Sequence, residues 1–335
     1  MGAAKDLIIA AGIAVGLGAI GGVLAYSSCQ GTQPQQSRPA AKKQLDGGIE
    51  ARVRDAGATL PINGFEIPDP ETFDRWMTLS YHPSPEDASI THIHRTIAGP
   101  LEVHVVEIDM AKAVFKVTPQ NNGYTVSEIA GLNKGALAVV NGDHFCPRAI
   151  ADHEYFPGKC PSDGRYLPAG ISVSDGWQWQ GTRDYKISAY VAFSPGRIEF
   201  HREPEDLIEV DEVKERLGSS VNIISGAPML VYNGAITKEA ATFHNANTPL
   251  ARTGIGASRD MRRFFIVTVN GREGGGMTCP DFARYMLEDT NAHNAMELSY
   301  GDATSLYVRF SGGLVNKPSG GKEQKLANHL IVYGK

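Results

Sequence analysis

From Leu101 to Tyr333 short apolar runs alternate with breaks made of glycine, proline, asparagine or aspartate. Such runs read as strands and such breaks as turns. LEVHVVEIDM (101–110) is β-branched enough to predict a strand. LAVVNGDHF (137–145) predicts a buried strand running into a turn. GISVSDGWQW (170–179) and AYVAFSPGRIEF (189–200) predict hairpins that turn at Asp175-Gly176 and Pro195-Gly196. VNIISGAPMLVYNGAIT (221–237) predicts a strand, a Gly-Ala-Pro break and a second strand turning at Asn233-Gly234. RRFFIVTVNG (262–271), AMELSYG, SLYVRF, GLV and HLIVY predict further strands. Helical signals are fewer. Thr125 with Glu128 forms a capping box for a short helix ending before Gly131 or Gly135. Asp211 to Leu217 is a short polar helix. Thr278 and Asp281 start another, with Phe282, Tyr285 and Met286 on one apolar face. Strands outnumber helices without regular βαβ alternation. The expected fold is therefore α+β: β-rich mixed sheets with a few flanking helices in a single large domain.

The N-terminus follows a different pattern. Leu7 to Ser28 is apolar or small throughout, and no charge falls between Leu7 and Ser37. At about 1.5 Å per residue such a segment crosses a bilayer core of roughly 30 Å. Residues 1–29 are expected to be a signal or membrane-anchor segment, with Ser27-Ser28-Cys29 resembling a lipobox. The Gln/Pro-rich stretch 30–60 is a linker, and 61–335 is the folded domain. The expected location is exported and membrane-anchored, periplasmic or at the cell surface. Cys146 and Cys160 enclose a short loop; a disulfide there would contribute roughly 3 kcal/mol in the chain-entropy picture, and export permits it.

Composition adds exclusions. Hydrophobic residues make up 42%, enough for a large core, and the net charge of −5 gives no electrostatic reason to expect nucleic acid. GREGGGMT (271–278) lacks the Lys-Ser/Thr ending of a phosphate loop, and Ser225-Gly226-Ala227 is not a nucleophile elbow. No cofactor motif is present and none is expected.

Candidate chemistry lies at the strand ends. The glycine-bearing breaks after residue 250 suggest bends around a cleft, with Arg252 and Arg272 placed on them. Either guanidinium suits a phosphate or carboxylate, because its planar fork donates two parallel hydrogen bonds. Asp143 and His144 follow a strand ending at Asn141-Gly142. There Asp143 is either a site carboxylate or the cap of an Asx-type turn. Asp143, His144, Asp152, His153 and Glu154 cluster in sequence without zinc-site spacing, so a metal-dependent hydrolase is a minor alternative and no metal is assigned. His92 and His94 alternate, as on one face of a strand, and read as a polar strand face. Cys279, ahead of Pro280 at a helix start, reads as packing.

VVNGDHF (139–145), IISGAPMLVYNG (223–234), ARTGIG (251–256), VNGR (269–272), GMT (276–278) and VNKPSGG with a trailing LAN (315–328) together resemble the phosphodiester glycosidase family. The likeness spans roughly residues 100–333 in the family's order. Many bacterial members are exported, some of them exopolysaccharide-related. The family's Leu-Asp-Gly-Gly-Gly-Ser-Ser reads here Leu298-Ser299-Tyr300-Gly301-Asp302-Ala303-Thr304, with Ser299 at the aspartate position. The resemblance implies hydrolysis between a sugar anomeric carbon and a phosphodiester in a glycan or cell-envelope polymer. Under it, Asp143, Arg252, Asp302 and Glu297 are the candidate catalytic residues. Asn141, His144, Gly226, Thr253, Arg272 and Thr304 are the candidate substrate-binding ones. The altered loop motivates the alternative, a non-catalytic glycan-binding or exopolysaccharide-assembly protein on the same fold.

Overall fold

Three sheets enclose one core, and each carries a helix on its outer face. A computed structural model describes residues 78–83, 89–97, 101–119, 123–146, 166–180, 189–202, 209–271 and 275–335. All of them fall in the unit Gly48–Lys335. The expected anchor 1–29, the linker 30–60, Asp152, His153, Glu154, Cys160 and Arg272 lie outside the described residues. Among the described residues no helix is long and apolar enough to cross a membrane.

In chain order the strands begin with β1 (Thr78–Pro83), β2 (Ile90–Ile97), β3 (Leu101–Asp109), β4 (Ala113–Val117) and β5 (Ala136–Asn141). There follow β6 (Phe145–Cys146), β7 (Leu167–Pro168), β8 (Ser172–Ser174), β9 (Trp177–Gln180), β10 (Ala189–Ser194) and β11 (Arg197–Arg202). The next are β12 (Asn222–Gly226), β13 (Met229–Tyr232), β14 (Ala235–Ile236), β15 (Arg252–Ala257) and β16 (Arg263–Val269). The last are β17 (Asn294–Glu297), β18 (Leu306–Val308), β19 (Gly313–Leu314) and β20 (His329–Gly334). The helices are α1 (Val126–Leu132), α2 (Val210–Leu217), α3 (Glu239–Thr242) and α4 (Cys279–Glu288).

The first sheet runs β1-β2-β3-β16-β15-β17-β13-β14, the second β11-β10-β12-β8-β9, and the third β19-β18-β5-β20-β4. The strand pairs are antiparallel throughout. Period-two alternation assigns the faces. On β16, Phe264 and Ile266 face the shared core, whereas Phe265, Val267 and Val269 face α4. Phe115, Phe193 and Phe264, one from each sheet, meet at ring distances of 4.8, 4.9 and 5.5 Å and fix the centre of the core.

Local signals act as expected. The turns at Asp175-Gly176 and Asn233-Gly234 have positive φ at both central residues, the conformation that two-residue hairpins need. The Thr125–Glu128 capping box is formed in both directions. Gly131 does not end α1: it faces open space, and the helix continues to Leu132 before Asn133 caps it. Gly254 and Gly256 do not bend their strand. An added Cβ would lie 2.8 Å from the Phe282 ring at Gly254 and 3.0 Å from Met286 at Gly256, so both glycines admit α4 onto the sheet.

Candidate functional site

One strand end from each sheet reaches the same place. β5 of the third sheet ends at Asn141, β12 of the second at Gly226, and β17 of the first at Glu297, beside the start of β15 at Arg252. Asn141 ties the third sheet to the first and to the loop after β17, and is fully buried. Its Nδ2 donates to the Ser299 carbonyl at 2.7 Å. Its Oδ1 accepts from the Thr253 hydroxyl at 2.8 Å and the Ser305 N–H at 3.1 Å. The Ser299 N–H donates to the Gly142 carbonyl at 3.0 Å and the Gly301 N–H to the Ala251 carbonyl at 2.8 Å. The altered loop is thus held at both ends by backbone.

Asp143 is 2% exposed. Asn328, just ahead of β20, grips it twice. The Asp143 N–H donates to Asn328 Oδ1 at 2.9 Å, and Asn328 Nδ2 donates to Asp143 Oδ2 at 3.2 Å. The same Nδ2 also donates to the Ser172 hydroxyl at 2.9 Å. Ser225 Oγ lies 3.5 Å from Asp143 Oδ2, while Oδ1 has no hydrogen-bond partner among the described residues. Burial pushes the Asp143 carboxyl well above the usual carboxylate range, and the bonds from Asn328 and Ser225 only partly offset this. Burial thus favours the protonated carboxyl and leaves one oxygen unclaimed, the arrangement a general acid uses.

Gly142 allows that grip. A Cβ there would come within 2.1 Å of Asn328 Oδ1 and 2.6 Å of the Asn328 carbonyl oxygen. Close approach, rather than a turn needing positive φ, is the reason for glycine. A Cβ at Gly226 would likewise meet the Glu297 carbonyl oxygen at 2.2 Å. Gly142→Ala and Gly226→Ala are each expected to lose about 1–3 kcal/mol or more, the range for overpacking. Urea denaturation checks this, and curves superimposing on the parent's would rule out the close approach.

Arg252 and Glu297 form a buried pair, 1% and 0% exposed, with Nη1 donating to Oε1 at 2.7 Å. Arg252 Nε donates to the Met277 carbonyl at 2.6 Å, and Nη2 to the carbonyls of Asn245 and Thr248 at 3.1 and 2.9 Å. Four of the five guanidinium N–H groups are therefore committed to protein oxygens. Burial raises the Glu297 carboxyl, and the guanidinium pulls it down. Cys279 lies with Sγ 3.6 Å from Glu297 Oε2, and burial pushes its thiol up, so it packs rather than reacts.

Tyr300 links the two halves. Its ring lies 5.7 Å from the Arg252 guanidinium and 5.3 Å, edge-on, from the His144 ring. His144 Nε2 donates to the Ala227 carbonyl at 2.8 Å. Phe243, after α3, stands 6.1 Å from the same ring.

The structure thus gathers Asn141, Asp143, His144, Gly226, Arg252, Thr253, Glu297 and the 298–305 loop. Thr304 is fully buried with no partner for Oγ1 among the described residues. Asp302 is exposed in the turn Gly301–Ala303, its carboxyl packed toward Gly320. The backbone leading to Arg272 starts at Gly271, where an added Cβ would meet Ala251 N at 2.4 Å. Sequence reasoning assigned no role to Asn328, Ser225 or Phe243. Asn328 stood within the LAN motif, and that motif was the only signal.

The sequence matches the model of the phosphodiester glycosidase family over residues 134–333. A comparison with curated proteins finds no match. Among solved structures, a hypothetical protein from Synechocystis is similar at a TM-score of 0.57 and 15% identity, over 81% of this chain and 69% of that one. The catalytic domain of zebrafish N-acetylglucosamine-1-phosphodiester alpha-N-acetylglucosaminidase, auto-inhibited by its pro-peptide, is similar at a TM-score of 0.52 and 18% identity. That match covers 77% of this chain and 82% of the zebrafish one. The matched segment holds Asp143, Arg252, Glu297 and Asn328, the residues that build the three-sheet junction, and the chain belongs to the phosphodiester glycosidase family.

Proposed function

We propose that this protein hydrolyses the bond between a sugar anomeric carbon and a phosphodiester, with Asp143 as the proton donor. The observation that carries this is the Asp143 carboxyl, buried at the meeting point of three sheets with Oδ1 unclaimed, where burial favours the proton-bearing form. In the reaction the anomeric C–O bond breaks and its electron pair leaves with the phosphate oxygen. Asp143 donates a proton toward that oxygen and regains one from the water that adds to the anomeric carbon. A phosphate monoester is a good leaving group, so one positioned acid suffices where an ordinary glycoside needs stronger help.

Arg252 enters as a positioning residue, since Glu297 already matches its charge and it holds Tyr300 and the carbonyls of Asn245 and Thr248. Thr304 Oγ1 and His144 are candidate donor and acceptor for phosphate or sugar oxygens. Arg272 is the sequence's candidate for the phosphate charge. The apolar N-terminal segment supports an exported, membrane-anchored enzyme acting on a cell-envelope glycan; membrane fractionation with and without residues 1–29 tests that part.

A panel of sugar 1-phosphodiesters tests the activity, with free sugar as readout. Asn328→Ala removes a hydrogen bond that lowers the Asp143 pKa. It is expected to move the alkaline limb of the pH–rate profile upward, because the acid then keeps its proton to higher pH. A limb that stays in place would remove Asp143 from the role. Ser299 at the family's aspartate position, with Asp302 turned to solvent, favours one second reading: glycan binding without turnover. Retention of the glycan with no released sugar across the panel would select it.

A further inference from the structure

The inner face of the first sheet is apolar at one end and polar at the other. On β2 and β3, Ile90, Val106 and Ile108 enter the core, whereas His92, His94, Glu102 and His104 occupy the same face further along. His94 and His104 are direct cross-strand partners, as are His104 and Thr268 on β16. The row continues to Thr253, which holds Asn141. Residues directly opposite share a face.

A nitrogen from each of His94 and His104 and a carboxylate oxygen of Glu102 all lie within 4.8 Å of one another. Hydrogen bonds from neighbouring side chains orient these groups. His92 Nδ1 is 2.8 Å from Ser311 Oγ, and His92 Nε2 is 3.2 Å from His104 Nδ1. If each ring donates from Nδ1, His92 to the hydroxyl and His104 to His92, the relay leaves His104 Nε2 as a bare lone pair. A metal-ligating histidine is commonly set up this way, with its other ring nitrogen donating to a neighbour. Glu102 is oriented by Asn270 Nδ2 at 2.6 Å and Lys317 Nζ at 3.1 Å.

Two buried atoms here lack an occupant. His104 is 3% exposed and Thr268 is 0% exposed, yet His104 Nε2 and Thr268 Oγ1 have no hydrogen-bond partner among the described residues. Buried polar atoms are ordinarily satisfied, so such neighbours point to a missing ligand.

We propose that His94, Glu102 and His104 bind one divalent transition-metal ion of the zinc type, with Thr268 Oγ1 hydrogen-bonded to a water on the open side. Two imidazoles and one carboxylate select such an ion over calcium or magnesium, which prefer all-oxygen sites. The two rings lie nearly parallel, 4.4 Å apart. Rotation about the Cβ–Cγ bonds brings the donor atoms to the about 3.3 Å separation set by metal–nitrogen bonds of about 2.0 Å. The dication displaces the Lys317 ammonium from Glu102; the Lys317 side chain is 59% exposed and free to swing away. This site uses none of the residues assigned to Asp143 chemistry.

The test titrates the full chain with Co²⁺ and Zn²⁺, read by cobalt absorption and by competition with a chromophoric chelator. The wild-type chain is expected to take up one equivalent in an N/O environment, without a sulfur-to-cobalt band. His94→Gln and Glu102→Gln are expected to weaken binding at least tenfold. Lys317→Met, which removes the competing ammonium, is expected to tighten it, a gain that misfolding does not produce. No uptake by the wild type, loss variants that bind as it does, or Lys317→Met binding no tighter would each overturn the proposal.

Discussion

Asp143→Asn is expected to slow turnover of a sugar 1-phosphodiester by about a hundredfold or more while making the protein more stable at neutral and alkaline pH. Loss of a positioned general acid costs about 10²–10⁴ in rate. Asparagine keeps the shape and can accept the bond from Asn328 with its carbonyl oxygen, but it carries no proton to give. The stability effect has a definite sign. Burial raises the folded-state pKa of Asp143 above its ordinary 3.8. The folded protein therefore binds the Asp143 proton more tightly than the unfolded chain. Its stabilising contribution is complete below the unfolded value and is lost as pH rises through the folded value. The asparagine variant has no such loss, so its Tm advantage over the parent grows with pH. Paired thermal melts across pH, alongside initial rates, check both halves. A slowed variant with the parent's pH–stability curve would mean the carboxyl is not held protonated.

The second large effect concerns the buried pair. Glu297→Gln strands a guanidinium that cannot shed its proton, and breaking a buried pair in this way costs about 3–5 kcal/mol. Arg252→Met is expected to cost less, because the Glu297 carboxyl left behind can take up a proton. Combining Arg252→Met with Glu297→Leu is expected to recover much of the stability, since apolar replacement of a buried pair is often close to neutral. Denaturant unfolding of the three variants supplies the cycle. A loss below about 1 kcal/mol for Glu297→Gln, the scale of an exposed pair, would contradict the geometry. The placement also revises how Arg252 serves the site. Its charge is matched from within by a residue 45 positions away, and its remaining contacts go to Tyr300 and the 245–248 carbonyls, which is why the proposed function gives it a positioning role.

Much of the fold was legible in the sequence because its signals are local. Asp-Gly, Pro-Gly and Asn-Gly turns mark hairpins, and alternation marks which strand face is buried. Thr125 with Glu128 marks a helix start. The ordered motifs pointed to the family, and the structure gathers those it describes at one junction. The arrangement inside that junction was not legible, because it depends on contacts distant in sequence. Asn328 reaches Asp143 across 185 positions. Glycine signals were read as bends, yet Gly142, Gly226 and Gly254 serve close approach by side chains and carbonyls that no local pattern names. His92 and His94 on β2 read as a polar strand face; only register brings His94 against His104 of β3.

Hydrolysis of a sugar 1-phosphodiester in ¹⁸O-labelled water tests the central assignment most directly, because the label reports which bond breaks. Cleavage at the anomeric carbon predicts ¹⁸O in the released sugar hydroxyl and none in the phosphate monoester. Label in the phosphate, or products that form as fast with Asp143→Asn as with the parent, would contradict it.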